Sequence, residues 1–351
     1  MAARRFCWGI SDLKRGRFAR WSLAALLWLG ACAGPVEAGP AAATAPGPDT
    51  IHVSMRPVAL DTRDPTVDRV GRLLFKGGYS LTANDARFGG WSDLDISDDG
   101  TRLTAISDRG FWFDATVTHD ASENIAELAD ARLGYLLNMA GFRQPGLEGD
   151  AEGLSRTPDG SFLVSFERRH RIWLYPAAEP PFSIRPRPLP MPAEAAKMPD
   201  NGGIETLVRL PGGRILAISE ELLTKDGAAN VGWLGDGRTW SQVSYVAGHD
   251  FKPTGAARLP DGDILILERR FSRMSVPGAR IVRLHADALK PGARLQGDEF
   301  ARIEPPMTFD NFEGITTRVG PQGEIFIYVI SDDNYFFLQR TLLLVFELAP
   351  E

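Results

Sequence analysis

Cysteine is nearly absent: the 351 residues include two, Cys7 and Cys32. Both fall in what reads as a leader, so the folded domain is expected to have no disulfide and to depend on packing. Histidine is scarce too, with His52, His119, His170, His249 and His285 the full set, and this leaves a zinc or copper centre little support. No Gly-x-Ser-x-Gly elbow and no Walker loop occurs, which removes sequence support for serine-hydrolase and nucleotide-hydrolase mechanisms. No stretch sustains a 3.6-residue apolar period, so helix is expected only in short connectors such as 193–197.

What is present begins with a basic and apolar leader. Residues 1–31 carry Arg4, Arg5, Lys14, Arg15, Arg17 and Arg20 against Asp12, and end in the apolar run Trp21 to Ala31. That run is too short to span a bilayer permanently, and the pattern reads as an export signal. Leu29-Gly30-Ala31-Cys32 resembles a bacterial lipobox, in which the cysteine becomes the acylated N-terminus. The rival reading is ordinary cleavage near Ala38, and Arg4-Arg5-Phe6 carries only part of a twin-arginine signal. Without the leader, 39 basic and 45 acidic residues become 33 and 44, a net charge of −11. Such a surface repels nucleic acid and anionic lipid. No nucleic-acid partner is expected, and membrane contact is expected only through lipid on Cys32. The expected location is the periplasm, or the bacterial cell envelope by a lipid anchor.

Residues 32–49 are mostly Ala, Pro and Gly and read as an extended tether; the domain is placed at 50–351. Five segments of that domain repeat one pattern: SDLDISDDGTRLTAISDRG from Ser92, AEGLSRTPDGSFLVSFERR from Ala151, IETLVRLPGGRILAISEEL from Ile204, PTGAARLPDGDILILERRF from Pro253 and FEGITTRVGPQGEIFIYVISDDN from Phe312. Each is a strand, a turn rich in Asp, Pro or Gly, and a second apolar strand ending in an acid, which is a β-hairpin. Counted from Asp93, Glu152, Glu205, Thr254 and Glu313, the steps are 59, 53, 49 and 59 residues, the lengths of four-stranded propeller blades. The expectation is an all-β, single β-propeller of six blades, with five or seven also compatible. The run around Gly71 to Phe75 and the strand from Thr341 to Leu348 are expected to pair within one closing blade and supply much of the sixth.

In each unit an acid opens the first strand and another ends the second: Asp93 with Asp108, Glu152 with Glu167, Glu205 with Glu220, Glu313 with Asp332, while Glu268 faces Thr254. A hairpin returns both positions to the same end, and a propeller points its innermost strands at one channel. Asp93, Glu152, Glu205 and Glu313 are therefore the expected metal ligands, because converging carboxylates raise one another's pKa and call for a cation. Calcium suits irregular oxygen coordination better than magnesium. The second-position acids read more simply as hydrogen-bond acceptors or as partners for Arg109, Arg168, Arg269 and Arg270.

At these residues the chain resembles the bacterial phytase-like family, described by the esterase-like activity of phytase. The pieces that carry the resemblance are Gly89-Gly90-Trp91-Ser92-Asp93-Leu94, Ile106-Ser107-Asp108-Arg109-Gly110, Asp150-Ala151-Glu152-Gly153-Leu154, Leu267-Glu268-Arg269-Arg270, Asn311-Phe312-Glu313-Gly314-Ile315, and Ser331-Asp332-Asp333-Asn334 with Gln339 after it. The resemblance implies a propeller that hydrolyses phosphoesters or esters, with calcium as cofactor and a small anionic or ester substrate. Candidate catalytic residues are Glu152 or Glu313 to orient water, and Arg109, Arg168 and Arg269 to meet developing charge. Arg169 and Arg270 could join them, and His170 is a candidate proton donor. Two other readings stand beside this one: a non-catalytic envelope lipoprotein that binds a ligand or partner, and a lactonase-type hydrolase.

The leader yields a direct test. Cys32→Ser expressed in a bacterial host should move the protein from the membrane to the soluble fraction. Unchanged fractionation, with no lipid on the mature N-terminus by mass spectrometry, would refute the anchor.

Overall fold

Residues 47–144, 146–270 and 276–350 are described by a computed structural model. The leader, the lipobox at Cys32 and the tether as far as residue 46 lie outside the described residues. The described residues form five sheets, antiparallel except for one short parallel pairing of Trp240–Tyr245 with Arg294–Leu295, and each repeat begins on the strand nearest the axis. The inner strands are Trp91–Ile96, Ala151–Arg156, Ile204–Arg209, Lys252–Arg258 and Asn311–Val319. Each pairs with the second strand of its repeat, and adjacent inner strands contact one another around the axis. Among the described residues, helix is limited to short 3-10 segments such as Ala193–Lys197, as the missing helical period predicts.

The propeller has five blades, the lower count the spacing allowed, and the reason lies in its closure. The fifth repeat supplies three strands, Asn311–Val319, Ile325–Asp332 and Thr341–Leu348. The fourth position is taken by Leu73–Ala83, antiparallel to Thr341–Leu348 with Leu344 opposite Gly78 and Leu348 opposite Leu73. The two end runs do pair, but they complete the Phe312 unit and leave no separate sixth sheet. Pairing the first described long strand with the last closes the ring without leaving either as a free edge beside the axis.

The core lies between blades. Trp91, Leu94 and Phe113 of blade one pack with Phe326, Tyr328 and Leu343 of blade five, and Phe88 meets Trp91 edge-on at 5.1 Å. Toward the axis the chain gives up side chains instead. A Cβ on Gly153 would lie 2.8 Å from the Glu205 carbonyl oxygen, one on Gly255 2.6 Å from that of Glu313, and one on Gly314 2.7 Å from the Asp93 Cα. Glycine is needed at these places because neighbouring backbones approach too closely for any other residue.

Gly314 tests this apart from backbone conformation, since its φ lies outside the left-handed region. Gly314→Ala should destabilise the fold by about 1–3 kcal/mol, the range for overpacking a rigid core. Chemical denaturation measures it, and an unchanged midpoint would show that the throat is loose.

Candidate functional site

Five inner strands start, and five second strands end, at the same mouth. Each inner strand carries one extra residue there, a β-bulge. The ladders jump from Trp91 to Asp93, from Ile204 to Thr206, from Pro253 to Gly255 and from Phe312 to Gly314, and two residues, Glu152 and Gly153, stand opposite Ser165. A bulge removes a residue from the ladder and re-aims its side chain. The bulged positions are Ser92, Glu152, Glu205, Thr254 and Glu313. Asp93, aligned with the three glutamates in the sequence reading, falls one step deeper, in register with Gly153, Thr206, Gly255 and Gly314.

Asp93 therefore occupies the throat between blades one, two and five. Its carboxylate accepts the amides of Leu94 at 2.9 Å and Leu154 at 2.7 Å. Burial pushes its pKa well above the usual carboxylate range, against the pull of these amides and that of Ile315. Glu152, Glu205 and Glu313 do come together. Burial drives each pKa well upward, and repulsion adds to it, from Glu205 and Glu167 on Glu152 and from Asp332 and Glu220 on Glu313.

Beside Glu152 lies a residue the sequence reading had not counted as a ligand. Asp150, Glu152 and Glu167 each offer a carboxylate oxygen within 4.8 Å of the others. Asp150 and Glu152 are two apart, at the entrance to one strand, and Glu167 ends the strand paired with it. An i, i+2 pair of acids at a strand entrance is a signal the sequence does contain. Two oxygens on opposite sides of one calcium are about 5 Å apart, so this donor set fits a single calcium ion. Glu167 already accepts the Gly202 and Gly203 amides through Oε1 at 2.5 and 2.6 Å, which fixes its direction. Asp150 is held by Arg168 Nε at 2.8 Å.

The remaining second-position acids have unlike fates. Glu220 and Glu313 share Arg269, whose nitrogens reach them at 3.1 and 2.9 Å, and Arg269 also binds the Asn311 side chain. Glu268 is fully buried and turns away from the mouth to Tyr245, Arg280 and the Gly248 amide. Asp108 is pushed up to about 7 and Asp332 to about 6, in both cases first by burial and then by neighbouring aspartates. Among the described residues, one Asp108 oxygen and the Ser92 hydroxyl are buried without a hydrogen-bond partner. Both belong to blade one, across from Asp150 in blade two.

The arginines that follow the second acids do not gather. Arg269 is committed to the acids, Arg168 to Asp150 and Asn201, and Arg109 lies over the Tyr335 ring at 3.5 Å. Arg169 pairs with Glu148 at the surface, and Arg270 with Glu304. His170 rests on the Pro199 carbonyl through Nε2 at 2.8 Å. Next to the acids a cavity of about 690 Å³ is lined by Glu220, Leu223, Asn230, Phe251, Lys252 and Arg269, among others, large enough for a small organic ligand.

The family model described as esterase-like activity of phytase matches residues 86–335, from the turn before Trp91–Ile96 to the loop carrying Tyr335. The chain belongs to this phytase-like family. No curated protein matches the sequence. Among solved structures, the α-L-arabinofuranosidase of Podospora anserina in complex with cellotriose is similar over 80% of this chain and 98% of its own, at 14% identity and a TM-score of 0.51. That likeness speaks to the fold alone. A putative gluconolactonase (13% identity, 88% of this chain and 94% of its own, TM-score 0.43) and the PQQ-bound aldose sugar dehydrogenase of Streptomyces coelicolor (13%, 86% and 99%, TM-score 0.43) are more distant in shape.

The raised carboxyl groups of the phytase-like mouth set a pH dependence. Each binds its proton more tightly in the fold than in the unfolded chain, so stability is highest below the ordinary carboxyl pKa and falls as pH rises through the folded values. The metal-free protein should lose melting temperature between about pH 4 and about pH 7, the window set by the ordinary carboxyl value and that of Asp108. Asp108→Asn should shallow that decline. A melting temperature that rises across the window in chelator would contradict the burial of these acids.

Proposed function

We propose that the protein is an exported, calcium-dependent ester hydrolase acting at the acidic mouth. The observation that carries this reading is the Asp150, Glu152 and Glu167 cluster, three oxygen donors within 4.8 Å of one another, in a member of a family described as esterase-like. Glu152 is the member left partly exposed, so an ion held there would keep coordination positions open toward the mouth. When bound, calcium would polarise the ester or phosphoryl oxygen and offset the charge of the carboxylates.

The chain's own groups supply the remaining functions. Asp108, with a pKa of about 7, can accept and return a proton near neutrality. Glu313, fixed by Arg269 and by the Asn311 amide at 2.7 Å, is a rigid acceptor able to orient water. Arg269 already answers two carboxylates, so it balances the charge of the site before any substrate arrives. Arg109 and Arg168 are both exposed, and an anionic group entering the mouth would have to draw them from Tyr335 and from Asp150 and Asn201.

The rim favours an ester with an apolar portion. Leu147, Leu223, Phe336, Phe337 and Leu338 are exposed, Phe337 at 86%. All lie on connections that open on the mouth: before Ala151–Arg156, at the end of Ile215–Leu223, and between Ile325–Asp332 and Thr341–Leu348. A substrate that buries these side chains gains about 25 cal/mol per Å² of apolar surface. The leader and lipobox support delivery to the cell envelope.

A screen of the mature domain with carboxyl esters of apolar acids, phosphomonoesters, phytate and lactones, with calcium and with chelator, tests the reading. Calcium-dependent turnover is expected, strongest on the apolar esters. Calcium at a hundred times its Kd should add about 2.7 kcal/mol to stability. Glu152→Gln should blunt that gain, while Glu268→Gln, in its own network with Arg280, should leave it. Calcium stabilisation without turnover on any class would identify a ligand-binding propeller. No calcium effect at all would remove the metal site.

A further inference from the structure

We propose that the opposite mouth of the propeller binds a small multivalent oxyanion. The far ends of all five inner strands surround a cavity of about 320 Å³, separated from the acidic mouth by the throat that Asp93 occupies. Three repeats place an arginine at the same step of the inner strand: Arg156, Arg209 and Arg258, each followed after one residue by a proline-containing turn. All three line the cavity. The ring of repeats that brings acids together at one end thus brings guanidinium groups together at the other.

Their pairing leaves binding capacity. Arg156 gives Nε to Asp95 at 2.6 Å and stacks over Phe162, which leaves its two terminal nitrogens uncommitted among the described residues. Arg209 has no carboxylate partner among the described residues, and its Nε is buried without an acceptor. A buried guanidinium nitrogen with no acceptor is costly, and such orphans are rare unless a water or ligand completes them. Arg258 stands exposed at the cavity edge, also with no carboxylate partner among the described residues. The acids facing the same space are Asp95, engaged by Arg156, and Asp98, at the solvent edge. The Arg209 amide itself is taken up by the Ser155 hydroxyl at 2.9 Å, so its contribution to the cavity is the guanidinium.

Guanidinium forks at one level around a narrow cavity match the oxygens of a tetrahedral or planar oxyanion, which they bind in a two-point manner that lysine cannot reproduce. The chemistry is that of phosphate, sulfate or a small di- or tricarboxylate. The cavity is too small for a folded partner, and its walls are β-backbone, so the ligand enters as a small solute.

Calorimetric titration of the calcium-free mature protein with inorganic phosphate, then with sulfate and citrate, at constant ionic strength tests this. One saturable site is expected, weakening as salt is raised. Arg209→Gln and Arg258→Gln should each weaken phosphate about tenfold, the effect of about 1.4 kcal/mol. Asp98→Asn, an exposed change that leaves the ladder untouched, should tighten it severalfold and keeps the test available if an arginine variant fails to fold. Absence of saturable binding in the wild-type protein, or affinity that ignores both Arg258→Gln and Asp98→Asn, would overturn the proposal. Preference among the three anions identifies the geometry the site was shaped for.

Discussion

Everything at the acidic mouth follows from how closely five inner strands approach one axis. At Gly153, Gly255 and Gly314 the neighbouring backbones leave no room for a Cβ, so the throat is built from main chain and two side chains, Asp93 and the buried Thr206. Strands that meet this tightly must flare immediately above the contact, and the bulges at Ser92, Glu152, Glu205, Thr254 and Glu313 supply the flare. A bulge also frees a side chain from the ladder. Close approach and side-chain projection are thus one feature of the fold, and a repeat that places an acid at the bulge places it at the mouth.

The cost of that arrangement is electrostatic. Glu152, Glu205 and Glu313 share a space that water reaches poorly, and their pKa values rise together. The fold answers with a half-buried guanidinium, Arg269, shared by Glu220 and Glu313, and with Lys252, which reaches Glu220 at 3.6 Å. That answer is one-sided. The acids of blades three and five are partly offset by Arg269 and Lys252, whereas Asp108, Asp150, Glu152 and Glu167 of blades one and two have, among the described residues, only Arg168 as an ion-pair partner. The excess negative charge sits where the three-oxygen cluster is, and a divalent cation there would balance the mouth as Arg269 balances the other half.

Much of this was legible in the sequence. The hairpin unit, its spacing and the closure between the end runs can be read from turn residues and apolar alternation, because those patterns are local. The blade count could not be, since whether Leu73–Ala83 opens a sixth sheet or fills the fourth place of the Phe312 unit depends on a pairing across the whole chain. The ring of ligands was misread by one residue in blade one for a similar reason. Aligning acid to acid matched Asp93 with Glu152, but aligning the buried residues Trp91, Ala151, Ile204, Pro253 and Phe312 matches Ser92 with Glu152 and Asp93 with Gly153. Packing positions hold the register, and acids need not. Asp150 was overlooked because it precedes the repeat, although its i, i+2 relation to Glu152 was visible.

The same caution separates the arginines. Glu268 opposes Pro253 as Phe166 opposes Ala151 and Ser219 opposes Ile204, so Arg269, not Glu268, stands where blades two and three carry Glu167 and Glu220. Glu268 serves a buried network with Tyr245 and Arg280 while Arg269 crosses to Glu220 and Glu313. Successive residues on a strand face opposite sides, so an acid turned outward obliges the next residue inward. Blade four has Thr254 at its bulge and Arg269 at the position of Glu167 and Glu220, so a cation reaches the axis there instead. The same blade thus lacks an acid at both positions and supplies the guanidinium shared by Glu220 and Glu313. Because that exchange falls on one blade only, the five-fold repeat produces a mouth with the guanidinium on one side and the three-oxygen cluster of Asp150, Glu152 and Glu167 on the other, and the cluster is the side proposed to hold a metal.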